Sequence, residues 1–178
     1  MNKKVLLILL IIFVIGAGAA AYFWYQPNLI SQEQTGETAN WKTFIPTDKG
    51  ATFQYPENLS TNYIHPQEWP PKLLIIDNTG FSCEQGGLGI NGRPGMTIQK
   101  KINNIVYCID SVSEGTAGTF YTSYTYTFLK DSKLAKLSFT LAYSQCANYN
   151  EPQKTECEQE RQTFDLDVLI NRIAESVR

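Results

Sequence analysis

An uninterrupted apolar run from Val5 to Tyr25, 21 residues without a charge or a proline, constrains this chain more than any other feature. As a helix rising 1.5 Å per residue it would span about 30 Å, the thickness of a bilayer's hydrocarbon core. Lys3 and Lys4 precede the run, and the next cation is Lys42. Such a bias holds residues 1–4 in the cytoplasm and sends everything after the run outside. The expectation is a single-pass protein of the cytoplasmic (inner) membrane, with the lipid bilayer as the partner of residues 5–25. The competing reading is a cleaved secretory signal, since Gly16 to Ala21 are the small residues that a signal peptidase accepts. Tyr22, Phe23, Trp24 and Tyr25 follow at once and suit the headgroup region of a spanning helix, which favours the uncleaved anchor.

Residues 26–40 contain Pro27, Gly36 and mostly Ser, Gln, Thr and Glu, and read as a stalk. As a flexible coil it would hold a domain roughly 20 Å from the membrane. The domain is expected over 41–178. Beyond Lys4 the chain carries 13 Lys and Arg against 17 Asp and Glu, an acidic balance that argues against nucleic acid as a partner. Aromatics at 12% and charged residues at only 18% supply enough apolar surface for one packed core.

Within the domain the pattern is mostly of period two. Thr52 to Tyr55 reads as a short strand after a Thr47-Asp48-Lys49-Gly50 turn. Lys72 to Asp77, K-L-L-I-I-D, is too short for a helix and reads as a strand covered on both faces. Met96 to Ile102 and Ile105 to Asp110 form a hairpin pattern around Asn103-Asn104. Thr119 to Leu129 places Phe120, Thr122, Tyr124, Tyr126 and Phe128 on one face, and Leu137, Phe139, Leu141 and Tyr143 alternate in the next strand. Leu166, Leu169, Ile170, Ile173 and Val177 then recur as one helical stripe, with Asp165 and Asp167 at its positive end and Arg172 on the opposite face. An oily stripe must lie on something, so the expected fold class is α+β: an antiparallel sheet of five to seven strands closed by a C-terminal helix.

Cys83, Cys108, Cys146 and Cys157 are an even set in a chain expected to lie outside the membrane, where disulfides persist. Three pairings are possible. Cys146 and Cys157 bracket ten residues between the last strand and the helical segment, and bridging them leaves Cys83 with Cys108. A four-cysteine zinc site is the rival, but no two cysteines stand two to four apart, so no metal is expected.

His65 is the only histidine, no Gly-x-Ser-x-Gly elbow exists, and no residue is singled out as catalytic or as holding a cofactor. Asp165 and Asp167 read more simply as helix-start residues than as paired acids. The Gly86 to Gly95 stretch lacks the end of a phosphate-binding loop and reads as a loop whose one fixed cation is Arg93. Tyr63, His65 and Trp69, among Pro66, Pro70 and Pro71, read as a rigid aromatic loop able to stack on sugar rings or grip a peptide. Tyr63, His65, Trp69 and Arg93 are therefore the candidate binding residues.

Trp41-Lys42-Thr43-Phe44 and Gly50-Ala51-Thr52-Phe53-Gln54-Tyr55-Pro56 resemble the opening of PsbP-like domains, where an aromatic-x-Tyr-Pro strand end begins an antiparallel sheet. Cys146-Ala147-Asn148-Tyr149 and Phe164-Asp165-Leu166-Asp167 are similar to later segments of membrane-anchored bacterial proteins of that kind. The resemblance spans 41–178 and implies an α/β/α sandwich with an accessory or binding role. The chain departs from the PsbP pattern in its four cysteines, in Glu57-Asn58-Leu59 and in the Gly-rich insert. The function expected is a non-catalytic, membrane-anchored binding or complex-assembly domain with an envelope protein or polysaccharide as partner. The alternative is a cell-envelope hydrolase acting on cell-wall polymer through carboxylates that the pattern does not identify.

Overall fold

The computed structural model describes residues 40–46, 51–77, 80–88 and 94–178, all within one compact unit, Ala39–Arg178. The expected span 5–25, the stalk up to residue 39, the Thr47 to Gly50 turn and Arg93 lie outside the described residues. No helix among the described residues is long and apolar enough to cross a membrane.

Two short strands, β1 (Trp41–Phe44) and β2 (Phe53–Pro56), pair antiparallel with Phe44 opposite Phe53. The main sheet has six strands: β3 (Ile64–Asp77), β4 (Gly86–Leu88), β5 (Pro94–Ile102), β6 (Ile105–Thr116), β7 (Thr119–Lys130) and β8 (Lys133–Ser144). Their spatial order is β3-β8-β7-β6-β5-β4, every neighbouring pair antiparallel. Two helices follow, α1 (Gln153–Thr163) and α2 (Leu166–Glu175). The molecule is thus α+β, with an antiparallel sheet and C-terminal helices.

Local chemistry sets the connections. Ile102 pairs with Ile105 across Asn103-Asn104, and Asn103 takes φ +51°, a left-handed value that asparagine tolerates. Asp131 and Ser132 both have positive φ, the mirror-image turn whose twist suits a two-residue hairpin. Asp165 Oδ1 accepts from Val168 N at 3.0 Å, capping α2 at its start. Ile170 and Ile173 of α2, and Val177 just beyond its end, are buried in one core with Tyr107, Ile109, Tyr126, Phe128 and Leu137 of the sheet. Phe53, Phe44 and Trp41 close the same core beside α2, and Arg178 N and O exchange hydrogen bonds with Thr52.

Three expectations need correction. The K-L-L-I-I-D segment is not covered on both faces: β3 is an edge strand, Leu73 and Ile75 join the core, and Leu74 is 57% exposed. A short apolar run signals a strand, but its neighbours decide how many faces are buried. The Pro66 to Pro71 segment is not a loop but the first half of β3, with register shifts after Pro66 and after Glu68. At a sheet edge the missing prolyl N–H forfeits no ladder bond, which is why prolines are tolerated there. Finally, α1 was not anticipated, because Cys157 is its only buried residue and no apolar period marks it. Its partners lie far away in sequence: the Glu160 carboxylate accepts from the backbone N of Asn62 and of Tyr63, both at 2.7 Å.

The four cysteines pair as Cys83–Cys108 and Cys146–Cys157, with Cα separations of 5.4 and 5.5 Å, and none is free among the described residues. The second bridge ties the end of β8 to α1. Replacing Cys146 and Cys157 together by Ser should lower unfolding free energy by ~2 to 5 kcal/mol in urea denaturation, the usual effect of removing a native bridge. An unchanged midpoint would show that Glu160 and packing suffice to hold α1.

Candidate binding surface

The inward face of the sheet is longer than the helix that lies on it. At 1.5 Å per residue, ten helical residues reach about 15 Å, while a 12-residue strand spans about 40 Å. The part under α2 is sealed by apolar packing and by polar contacts: Tyr107 Oη donates to Asn171 Oδ1 at 3.0 Å and Tyr126 Oη to Asp167 Oδ1 at 3.3 Å. Lys100 pairs with Asp167 on the same side.

Further along the strands that face opens. Met96, Ser111 and Tyr124 stand in register across β5, β6 and β7, followed by Ser113 with Thr122, then Gly115, Phe120 and Tyr143. Met96 is 56% and Phe120 40% exposed, so two apolar posts border a polar floor. On that floor Ser113 Oγ and Thr122 Oγ1 are 2.9 Å apart, and the hydroxyls of Tyr124 and Tyr143 are 3.0 Å apart. Arg161 of α1 reaches over Tyr143, its guanidinium carbon 5.7 Å from the ring centroid. A Cβ at Gly115 would stand 3.4 Å from Phe120 Cδ1, so the phenyl ring rests beside bare backbone. Burial pushes both tyrosine hydroxyls above their ordinary range, with Arg161 pulling the other way, and they remain neutral donors and acceptors. Aromatic faces, paired hydroxyls and one guanidinium make a surface suited to a ligand with rings or peptide planes and polar edges.

The residues singled out from the sequence are not brought together. Tyr63 Oη donates to Glu156 Oε2 at 3.2 Å, and its ring meets Tyr149 edge-on at 5.3 Å. His65 is exposed and opposite Ala142, on the reverse face of the sheet. Trp69 points the other way: its Nε1 donates to Pro56 O at 2.7 Å, and its ring stands edge-on to Phe139 at 6.0 Å. Strict alternation would put residues 65 and 69 on one face; the register shift between Pro66 and Glu68 turns Trp69 to the face opposite His65, and Tyr63 precedes the strand. Asp165 and Asp167 hold the helix cap, Lys100 and Tyr126.

Met96, Phe120, Tyr124, Tyr143 and Arg161 do not stand out as a group in the sequence, because alternation gives the face of each residue in β7 and β8 but not what covers it. The available signal was the hydroxyls of Ser111, Ser113 and Thr122, polar residues on a face otherwise apolar. A second recess of about 310 Å³ lies where β1 and β2 meet the end of α2, bordered by Thr43, Gln54, Arg172, Glu175, Ser176 and Arg178. Arg172, expected on an idle face, lies over the Trp41 ring at 4.3 Å.

Burial also drives the hydroxyls of Tyr107 and Tyr126 well above the ordinary tyrosine range, while the unfolded chain titrates near pH 10. With folded values raised, their stabilising contribution is intact below pH 10 and is lost as pH rises above it. The two together should withdraw about 3 kcal/mol by pH 11. Urea midpoints at pH 8 and 11, with tyrosinate absorbance followed through the transition, check this; unchanged midpoints would refute it.

Comparison with models of protein families, with curated proteins and with solved structures gives no match to this chain.

Proposed function

We propose that the chain is a single-pass membrane protein that presents a non-catalytic binding domain outside the cytoplasmic membrane, with the open face of β5, β6 and β7 as its ligand surface. The observation that carries the compartment is the pairing of all four cysteines, since such bridges persist in oxidising surroundings. The apolar run 5–25 after Lys3 and Lys4 supports the anchor and its orientation. The PsbP-like opening at Trp41 to Phe44 and Phe53 to Pro56 forms β1 and β2 and supports an accessory role by analogy of motif. The finer α/β/α sandwich belongs to the same proposal. Exposed Phe120 and Met96 beside the Tyr124 and Tyr143 hydroxyls support recognition of an envelope polysaccharide, because sugar rings offer both an apolar face and a hydroxyl edge.

The compartment is tested by fusing, after Asn40, a reporter active only outside the cytoplasm. Activity is expected; silence, with the domain protected from protease in intact spheroplasts, overturns the topology. The ligand surface is tested by sedimenting the protein with purified cell-wall polysaccharide. Phe120→Ala and Arg161→Ala should each weaken cosedimentation while moving the melting temperature little. Equal cosedimentation of both variants and the parent would remove this face from the proposal.

A further inference from the structure

The reverse face of the sheet carries a different surface. Leu74 of β3 is opposite Lys136 of β8, Ile76 is opposite Leu134, and Leu134 is in turn opposite Leu129 of β7. Leu74 is 57% and Leu129 44% exposed. Lys101 of β5 is opposite Val106 in the same layer of side chains, and Lys72 precedes Leu74 on the same face. This end of the face therefore combines leucine and isoleucine with Lys72, Lys101 and Lys136. No salt bridge among the described residues involves Lys101 or Lys136, while Lys72 makes an exposed contact with Glu68 at 3.5 Å. Besides Glu68, the face carries acidic side chains further along β6: Asp110, which accepts from Thr97 Oγ1 at 2.5 Å, and Glu114. In a domain of acidic balance, Lys136 stands beside Leu74 and Lys101 lies in the same layer, while Glu68 is engaged by Lys72.

We propose that this patch seats the domain on a lipid surface bearing anionic headgroups, with Leu74 and Leu129 entering the interface and the lysines meeting the phosphates. Charge complementarity selects this occupant over a second copy of the chain. Two copies meeting through the patch would bring Lys101 and Lys136 against their own kind, whereas each lysine near an anionic leaflet is favourable by about 1 kcal/mol. Exposed aliphatic side chains with lysines on the same face are the combination that interfacial binding rewards, through buried apolar area together with attraction to headgroups.

The test uses the full chain reconstituted in nanodiscs of phosphatidylcholine, with or without phosphatidylglycerol. A benzophenone side chain replaces Leu129 in one sample and Tyr149, 38% exposed and away from the patch, in another. Lipid adducts are expected at position 129 and not at 149, and only in discs containing phosphatidylglycerol. Lys101→Gln with Lys136→Gln should lower the adduct yield, by about fivefold for each lysine removed. Adducts to a second copy of the chain, equal adducts in both lipids, or none at position 129 would overturn the proposal. Retention of the chain in the disc reads the anchor and the adduct reads the patch, so the two fail separately.

Discussion

Ile173→Asp is expected to leave the domain unfolded. Ile173 is fully buried where α2 meets the sheet, among Ile170, Ala174 and Val177. A carboxylate there loses its hydration, and the side chains around it are apolar. An unpaired buried charge costs several kcal/mol even after relaxation, and a domain of this size has only about 5 to 15 kcal/mol in hand. The checks are soluble yield and far-ultraviolet circular dichroism beside Ile173→Val, which should cost only ~0.5 to 1.5 kcal/mol. A folded, cooperative Ile173→Asp would mean that α2 lies loosely on the sheet. Arg172, the neighbouring residue, gives a graded contrast. Its guanidinium rests on Trp41, so Arg172→Ala should cost about 0.5 to 2 kcal/mol rather than nothing.

Trp69→Ala should destabilise the domain by ~3 to 5 kcal/mol, as large aromatic truncations in a core do. The indole is the joint between the two sheets. It stands edge-on to Phe139 of β8 at 6.0 Å and to Tyr55 of β2 at 6.4 Å, and its N–H meets the carbonyl of Pro56. Trp69→Phe keeps much of the packing and removes the donor, for which about 1 kcal/mol is expected. Urea denaturation of the three proteins separates packing from hydrogen bonding. A Trp69→Ala protein as stable as the parent would return the indole to the list of ligand-binding residues, and the aromatic segment of β3 with it.

Much of the fold was legible because its signals are local. The period of two in Phe120 to Phe128, the Asn103-Asn104 turn and the Leu166 to Ile173 stripe each depend on residues within a few positions of one another and appear where expected, while Val177 is buried beyond the helix end at Glu175. The cysteine pairing was legible for the same reason in Cys146 and Cys157, eleven apart, which left Cys83 and Cys108 as the remainder. Helix α1 was not legible, since the side chains that hold it, Glu160 and Cys157, find their partners outside the helix at Asn62, Tyr63 and Cys146, and no apolar period marks it.

By itself the sequence determined the class of fold, the faces of β7 and β8, and the expectation of bridged cysteines in an anchored, exported domain. Only the tertiary structure decided which part of each face is covered. Alternation states that Phe120 and Phe128 share a face but not that α2 is too short to reach both, so Phe128 is sealed and Phe120 stands open. The same holds on the reverse face, where sheet order made K-L-L-I-I-D an edge and left Leu74 beside Lys136. Burial is a property of what lies opposite a residue, and for an antiparallel sheet that partner is set by register and layer rather than by nearest neighbours in the chain.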